Sequence, residues 1–141
     1  MGIRVVIDTN VFVSSLRSKH GASFKLLSLI GSEKFDLNIS VPLIFEYEDA
    51  AKRQARQTGL TYEDIDDILD YICKVATHRQ IFFLWRPFLK DPKDDLVLEL
   101  AVEASCNYII THNIRDFVGT ERFGLKIITP KEFLQVIGEI S

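Results

Sequence analysis

The sequence has no run of the roughly 20 apolar residues that a membrane-spanning helix requires. Its first apolar stretch is too short for the core of a signal peptide and is interrupted by Asp8. Cysteine is scarce, and Cys73 and Cys106 show no CxxC spacing, so neither a disulfide framework nor a zinc site is indicated. We therefore expect a cytoplasmic protein that does not enter a membrane.

An excess of positive charge and the common nucleophile motifs are also missing. The net charge is −3, whereas a protein that binds nucleic acid purely through phosphate contacts is usually basic. An enzyme that reaches phosphate through bound cations can be acidic, because its carboxylates hold the metal. No GxSxG or glycine-rich phosphate loop occurs, and His20, His78 and His112 have no partner nucleophile at a recognisable spacing. Histidine-assisted serine chemistry is therefore not expected.

The sequence does contain short apolar runs that alternate with segments of helical periodicity. The predicted strands are Ile3–Ile7, Leu37–Val41, Ile81–Trp85, Asn107–Thr111 and Leu125–Thr129. The clearest predicted helices run from about Leu43 to Gln57, from Thr61 to Ile72, from Pro92 to Ala104 and from Pro130 to Ile137. This alternation predicts an α/β fold with three α/β/α layers and a central parallel sheet. Without linkers or repeats, residues 1–141 are predicted to form a single domain.

Four acidic residues follow predicted strands. Asp8 ends the first strand, and Glu46 lies in the first turns after the second. Asp95 opens the helix after the third strand, and Asp116 lies just beyond the fourth. Sites in open α/β sheets form outside the carboxyl ends of the strands. Because Mg²⁺ and Mn²⁺ take oxygen ligands and keep several waters, a few carboxylates suffice to bind them.

Each of these carboxylates also has a purely structural interpretation. Asp8 can cap the following helix, and Glu46 can be one more solvated helix charge. Asp91, Asp94 and Asp95 can all stabilise the helix dipole, and for Asp91 and Asp94 we prefer that interpretation. The fourth acid can be an ordinary loop residue. Individually, the acids do not establish a site.

Taken in order, the segments resemble the PIN-domain family, and more closely its toxin-like (VapC-type) branch from bacteria and archaea. The resemblance covers nearly the whole chain and rests on order and spacing. The matching stretches are Val5-Val-Ile-Asp-Thr-Asn-Val-Phe, Val41-Pro-Leu-Ile-Phe-Glu-Tyr, Asp91-Pro-Lys-Asp-Asp-Leu-Val-Leu-Glu-Leu-Ala and Tyr108-Ile-Ile-Thr-His-Asn-Ile-Arg-Asp-Phe. The ending Gly124-Leu-Lys-Ile-Ile-Thr-Pro-Lys-Glu-Phe looks like the family's last strand and helix.

The resemblance implies a set of catalytic, metal-binding acids, and these are Asp8, Glu46, Asp95 and Asp116. Glu46 is assigned in preference to Glu48 because Glu46 lies four residues after Pro42. The fourth position departs from the family pattern. Many members carry an Asp shortly after the fourth strand's Thr, where this chain has Asn113, while some toxin-like members place the acid in an Asn-x-x-Asp-Phe segment. We therefore assign Asp116 as the fourth acid, and Asn10, Thr111 and Asn113 as polar supports.

The resemblance also implies an activity and partners. Members of the family cleave single-stranded RNA with Mg²⁺ or Mn²⁺. They are often homodimeric toxins held inactive by an antitoxin whose tail covers the acidic groove. Candidate RNA contacts near the site are Arg17, Lys19, His20 and Arg115, although each is also a common kind of solvated surface charge.

Two other readings compete with the nuclease. A receiver-like phosphoacceptor domain also uses Asp and Mg²⁺, but it needs adjacent acids after the first strand and a Lys after a late one. Here Asp8 stands alone and Lys126 lies inside a predicted strand. A catalytically weak or inactive PIN-like RNA- or protein-binding module stays open, because Asn113 supplies no charge. The hypothesis is a metal-dependent endoribonuclease.

Overall fold

The computed structural model describes residues 2–82 and 88–141. The strands are β1 (Arg4–Ile7), β2 (Asp36–Ile39), β3 (Thr77–His78), β4 (Tyr108–Ile110) and β5 (Lys126–Ile128). The α-helices are α1 (Thr9–Arg17), α2 (Ala22–Ser28), α3 (Val41–Arg53), α4 (Ala55–Thr58), α5 (Tyr62–Val75), α6 (Pro92–Glu103) and α7 (Pro130–Val136). Two 3-10 helices, Ile114–Phe117 and Thr120–Phe123, lie between β4 and β5.

The strands form one parallel sheet in the order β3-β2-β1-β4-β5. In the central strand β1, the β-branched residues Val5, Val6 and Ile7 are all buried, as expected for a strand covered on both faces. Chain order reverses at this strand, because β2 pairs with one edge of β1 and β4 with the other. A crevice beyond the carboxyl ends of such strands is where open α/β sheets form sites.

The helices flank the sheet and share one hydrophobic core with it. Helix α6 packs on β1, β2 and β4, while α1 packs against α2 and α3, α3 also against α5, and α2 against α7. The predicted α/β fold with a central parallel sheet is confirmed. Among the described helices, none is long and apolar enough to cross a membrane.

Two predicted elements differ from the structure. The third strand of the described sheet is Thr77–His78. Of the strand predicted at Ile81–Trp85, Ile81 and Phe82 have no regular structure, and residues 83–85 lie outside the described part of the chain. This edge strand is two residues long and polar, so it has no apolar run to mark it. The helix predicted from Leu43 to Gln57 is divided into α3 and α4 at Gln54.

Candidate active site

A groove of about 320 Å³ lies at the carboxyl ends of β1 and β4. Residues from α1, α3, the start of α6 and the first 3-10 helix line it. Its walls carry five carboxylates, those of Asp8, Glu46, Asp91, Asp94 and Asp116. Of the four acids assigned from the sequence, the fold therefore brings Asp8, Glu46 and Asp116 to one groove, although they are far apart in the chain.

Asp8 is held between β1 and β4 by hydrogen bonds. Its backbone N–H donates to the carbonyl oxygen of Ile110 at 2.9 Å. Its Oδ1 accepts from the backbone N–H of Thr9 at 2.8 Å, and its Oδ2 accepts from the hydroxyl of Thr111 at 2.7 Å. The residue is 7% exposed. Asp8 thus caps α1 and lines the groove at once, so its structural and functional interpretations are compatible.

Glu46 faces the groove because its neighbour Tyr47 faces the core. Tyr47 is 1% exposed, stacks on Phe12 with ring centroids 4.8 Å apart, and donates its hydroxyl proton to the carbonyl oxygen of Ile7. Successive helix residues are about 100° apart, so fixing the tyrosine directs the glutamate away from the core. The Glu46 Oε1 atom lies 3.4 Å from Nζ of Lys93, which also lines the groove.

The three acids at the start of α6 have different surroundings. Asp91 caps the helix by accepting from the backbone N–H of Lys93 at 2.9 Å, and it lines the groove together with Asp94. Asp95 is 1% exposed, and its Oδ1 accepts from the backbone N–H of Leu89 at 3.0 Å. The structure therefore brings Asp91 and Asp94, which the sequence interpretation gives to the helix dipole, into the groove. Asp95, the assigned metal ligand, is not part of the groove lining and is an acceptor for the preceding loop.

Crowding and burial make the groove electrostatically unusual. Burial raises the pKa of Asp94 from 3.8 to about 7, and the negative charges of Asp8, Asp91 and Asp116 add to the shift. Burial also raises the pKa of Asp8, while the hydrogen bond from Thr111 works in the opposite direction. Both shifts mean that the ionised carboxylates are destabilised here, so a cation in the groove would be stabilising.

The polar supports surround the end of β4. The Thr111 hydroxyl, which donates to the carboxylate of Asp8, also accepts from the backbone N–H of Asn113 at 3.0 Å. The Oδ1 atom of Asn10 accepts from the backbone N–H of His112 at 3.4 Å. Asn10 and Asn113 line the groove, and Asn113 begins the 3-10 helix that carries Asp116. All three expected supports lie at or beside the acids.

The expected RNA-contacting residues fall into two groups. Arg17 lines the groove and donates to the side-chain oxygen of Gln54. Arg115 lines a neighbouring pocket of about 750 Å³ that shares three acids with the groove. Lys19 and His20 are exposed between α1 and α2, and neither of them lines the groove.

Comparison with known protein families identifies the family of this chain. A sequence profile described as a PIN domain matches residues 4–115. The chain belongs to the PIN-domain family. The match runs from β1 into the first 3-10 helix. It therefore includes four of the five groove carboxylates and ends one residue before the fifth, Asp116. No curated protein matches the sequence.

Solved structures show the same PIN-like fold. The crystal structure of VapBC2 from Rickettsia felis bound to a DNA fragment from their promoter has a TM-score of 0.60 and 15% identity, over 89% of this chain and 98% of that one. The crystal structure of PAE2754 from Pyrobaculum aerophilum has a TM-score of 0.64 and 12% identity, over 98% of this chain and 91% of that one. PIN domains are generally nucleases and typically use divalent metals, so this is a nuclease-type protein.

The donors of this PIN domain suit a hard cation that keeps its water. All five acids offer carboxylate oxygen, which Mg²⁺ and Mn²⁺ prefer. Among residues 2–82 and 88–141, no three Asp, Glu, His or Cys side chains are grouped closely enough to hold a metal ion together. Mg²⁺ is commonly bound by one or two carboxylates and several waters, for which a groove of about 320 Å³ has room.

Sequence reasoning missed three charged members of the groove, namely Asp91, Asp94 and Lys93. Asp94 lies three residues after Asp91, a spacing that places both on one helix face, and this signal was available in the sequence. Lys93 gave no signal of its own, because an exposed lysine beside a proline has no distinctive pattern. Only the fold brings its ammonium group to Glu46.

Proposed function

We propose that this PIN domain is a metal-dependent endoribonuclease that cleaves single-stranded RNA. The observation that carries the proposal is the convergence of five carboxylates on one groove at the point where the strand order reverses. Structural helix caps alone have no reason to converge from separate helices. Their shared repulsion costs stability, and such a cost persists where it serves a site.

In this proposal Asp8, Glu46, Asp94 and Asp116 hold Mg²⁺ or Mn²⁺, directly or through water, and Asp91 lies at the rim. When bound, the cation activates water and stabilises the charge that develops on the phosphate. Asp94 replaces Asp95 in the set expected from the sequence, because the Asp95 carboxylate is buried and already accepts from Leu89.

Other side chains prepare the groove for an RNA strand. The hydroxyl of Thr111 fixes one oxygen of Asp8 and so holds this carboxylate in place at the groove. Lys93 pairs with Glu46 at 3.4 Å, a long contact on a half-exposed side chain, and therefore remains available for a phosphate. Arg17 lies at the other end of the same groove. These cations offset the repulsion that an acidic groove exerts on a polyanion.

The test is cleavage of labelled single-stranded RNA by the purified chain with Mg²⁺, with Mn²⁺ and with chelator. Asp8→Asn should reduce cleavage by about 100-fold or more, since even indirect supports of metal ligands cost about 10–100-fold. The amide retains an oxygen for the hydrogen bond from Thr9, so the fold should remain intact. Asp49→Asn is the matched control, because Asp49 is exposed and, among the described residues, forms an ion pair only with Arg53 on α3.

The outcomes separate the alternatives. Metal-dependent cleavage that is lost in Asp8→Asn and kept in Asp49→Asn supports the enzyme. Equal cleavage by both variants would point to a contaminating nuclease and contradict the mechanism. Binding of RNA without cleavage under any metal condition would favour the non-catalytic PIN-like module instead.

We further propose that the chain is the toxin of a type II toxin–antitoxin pair and acts in the cytoplasm as a homodimer. Support comes from the PIN-domain match and from the likeness to the VapBC2 structure. If so, expression of the wild-type chain should arrest bacterial growth, while Asp8→Asn should not. Growth arrest by both forms to the same extent would contradict toxicity through cleavage. Sedimentation of the purified protein tests the dimer.

A further inference from the structure

A second pocket, of about 390 Å³, adjoins the acidic groove. Ser14 and Arg17 line both cavities, so the two meet along the last turns of α1. The remaining walls come from the start of α2, the residue after Thr111, and the start of α7. A strand of RNA leaving the groove on this side would therefore enter the pocket without leaving the protein surface.

The charge of this pocket is opposite to that of the groove. Arg17 and Lys131 line it, together with His112, and no carboxylate does. Within the described part of the chain, neither Arg17 nor Lys131 forms an ion pair. Two cations without an acidic partner, next to a groove with five carboxylates, provide an electrostatic site for an anion flanking the groove.

The start of α7 does not favour a cation at Lys131. It occupies the second position of α7, where the helix dipole favours an acid and disfavours a lysine. The helix is already capped, because Thr129 accepts from the backbone N–H of Glu132 and Glu132 accepts in return from that of Thr129. The helix therefore gains no stability from this positive charge, which lines the pocket instead.

The pocket also has an ordered polar wall. Ser23 is 7% exposed, and its Oγ lies 3.2 Å from Nε2 of His112, which fixes the imidazole at the pocket edge. Ser14 and Ser18 line the same pocket. Hydroxyl and imidazole groups hydrogen-bond ribose and base edges, and a cavity of this size is within the range that takes small ligands.

We propose that this pocket binds the nucleotide of the RNA strand that flanks the cleaved bond on the α7 side. Arg17 and Lys131 contact its phosphate, and His112 contacts its ribose or base. The inference rests on the proposed function, since it assigns a direction to the RNA strand across the acidic groove. It also predicts that the substrate must extend beyond the cleaved bond on this side.

The test is binding of a fluorescein-labelled, random-sequence, 12-nucleotide single-stranded RNA pool in chelator, where cleavage cannot interfere. Lys131→Gln should raise the Kd about three- to tenfold and flatten the slope of log K against log salt by about 0.7, the loss of one phosphate contact. Lys131→Arg should bind like wild type. Lys74→Gln is the matched control, because Lys74 is exposed at the end of α5, where the strands begin and not where they end.

The two proposals fail in different ways. Equal binding by Lys131→Gln and Lys74→Gln, or no binding by the wild-type chain, would overturn the nucleotide pocket and leave cleavage untouched. If the chain binds RNA through Lys131 but never cleaves it, the pocket stands and the nuclease proposal fails. Where cleavage occurs, Lys131→Gln should raise KM about three- to tenfold and change kcat less than twofold, since a remote contact contributes uniform binding.

Discussion

The acidic groove should make the metal-free protein less stable than it would otherwise be, and Asp94 is the residue on which to measure this. Asp94→Asn removes one of the converging charges and keeps the size of the side chain. We expect the metal-free variant to be more stable than wild type near pH 8. An increase of stability on removing a charged residue is the opposite of what its place at a helix start predicts.

The expected magnitude follows from the pKa of Asp94. A rise from 3.8 to about 7 corresponds to an upper bound of about 4 kcal/mol at 1.36 kcal/mol per unit. Asp94 is partly exposed, so solvent screening reduces this to about 1–2 kcal/mol. Losing the charge at the third position of α6 costs about 0.3–1 kcal/mol. Repulsion therefore wins by about 1 kcal/mol, or about 3–5 °C in Tm for a chain of this size.

The pH dependence has a definite sign. Because the folded pKa of Asp94 is raised, the folded state binds more protons than the unfolded state between pH 3.8 and about 7. Wild-type stability therefore falls as pH rises through this window and levels off above it. The gain of Asp94→Asn should be absent near pH 4 and complete near pH 8. Thermal unfolding in chelator, followed by circular dichroism across this range, measures it.

The matched control is Asp64→Asn, since Asp64 occupies the same third position of α5, outside the groove. The amide keeps an oxygen for the backbone N–H of Thr61 but loses the charge that favours the helix start, so this variant should lose about 0.3–1 kcal/mol. The reasoning is refuted if Asp94→Asn loses stability as Asp64→Asn does, or if its effect does not change with pH. A further expected result concerns the metal: added Mn²⁺ should raise the Tm of wild type more than that of Asp94→Asn.

Substitutions at three further residues test single contacts of the site. Thr111→Val removes the hydroxyl that Asp8 accepts from and should cost about 1–3 kcal/mol in urea unfolding and about 10–100-fold in cleavage. Asp95→Asn keeps an acceptor for Leu89 and should stay folded and active, whereas Asp95→Leu should lose about 1–3 kcal/mol; loss of cleavage in a fully folded Asp95→Asn would restore Asp95 as a metal ligand. Lys93→Met should leave the Tm nearly unchanged and tighten Mn²⁺ binding in calorimetry, since Glu46 loses its competing cation; weaker Mn²⁺ binding would contradict this.

Much of the fold was predictable because local patterns and global packing agree. The run Val5, Val6 and Ile7 is buried on both faces, and its composition alone indicates a central parallel strand. Thr61 and Thr129 begin α5 and α7 with capping boxes whose residue types are visible in the sequence. The edge strand β3 was misplaced because its two residues are held by pairing with β2 rather than by burial.

Part of the site was predictable for a different reason. Asp8 follows a recognisable strand and Glu46 follows a proline-started helix, so topology alone brings both to the same edge of the sheet. Capping and metal binding, however, require the same residue type at the same place. Asp8 caps α1 and also lines the groove where metal binding is proposed, so no local pattern separates the two roles.

The choice between Asp94 and Asp95 depended on the rotation of α6 about its axis, which the sequence leaves open. A helix that covers a sheet with one face reveals its rotation through an apolar stripe. In α6 the five consecutive residues from Val97 to Ala101 are all buried, including Glu99. The helix is therefore enclosed on most sides and shows no apolar stripe. One residue corresponds to about 100° of rotation. The sequence therefore does not show which of the two adjacent acids faces the groove. Only the packing of α6 on β1, β2 and β4 directs Asp94 into the groove and Asp95 toward Leu89.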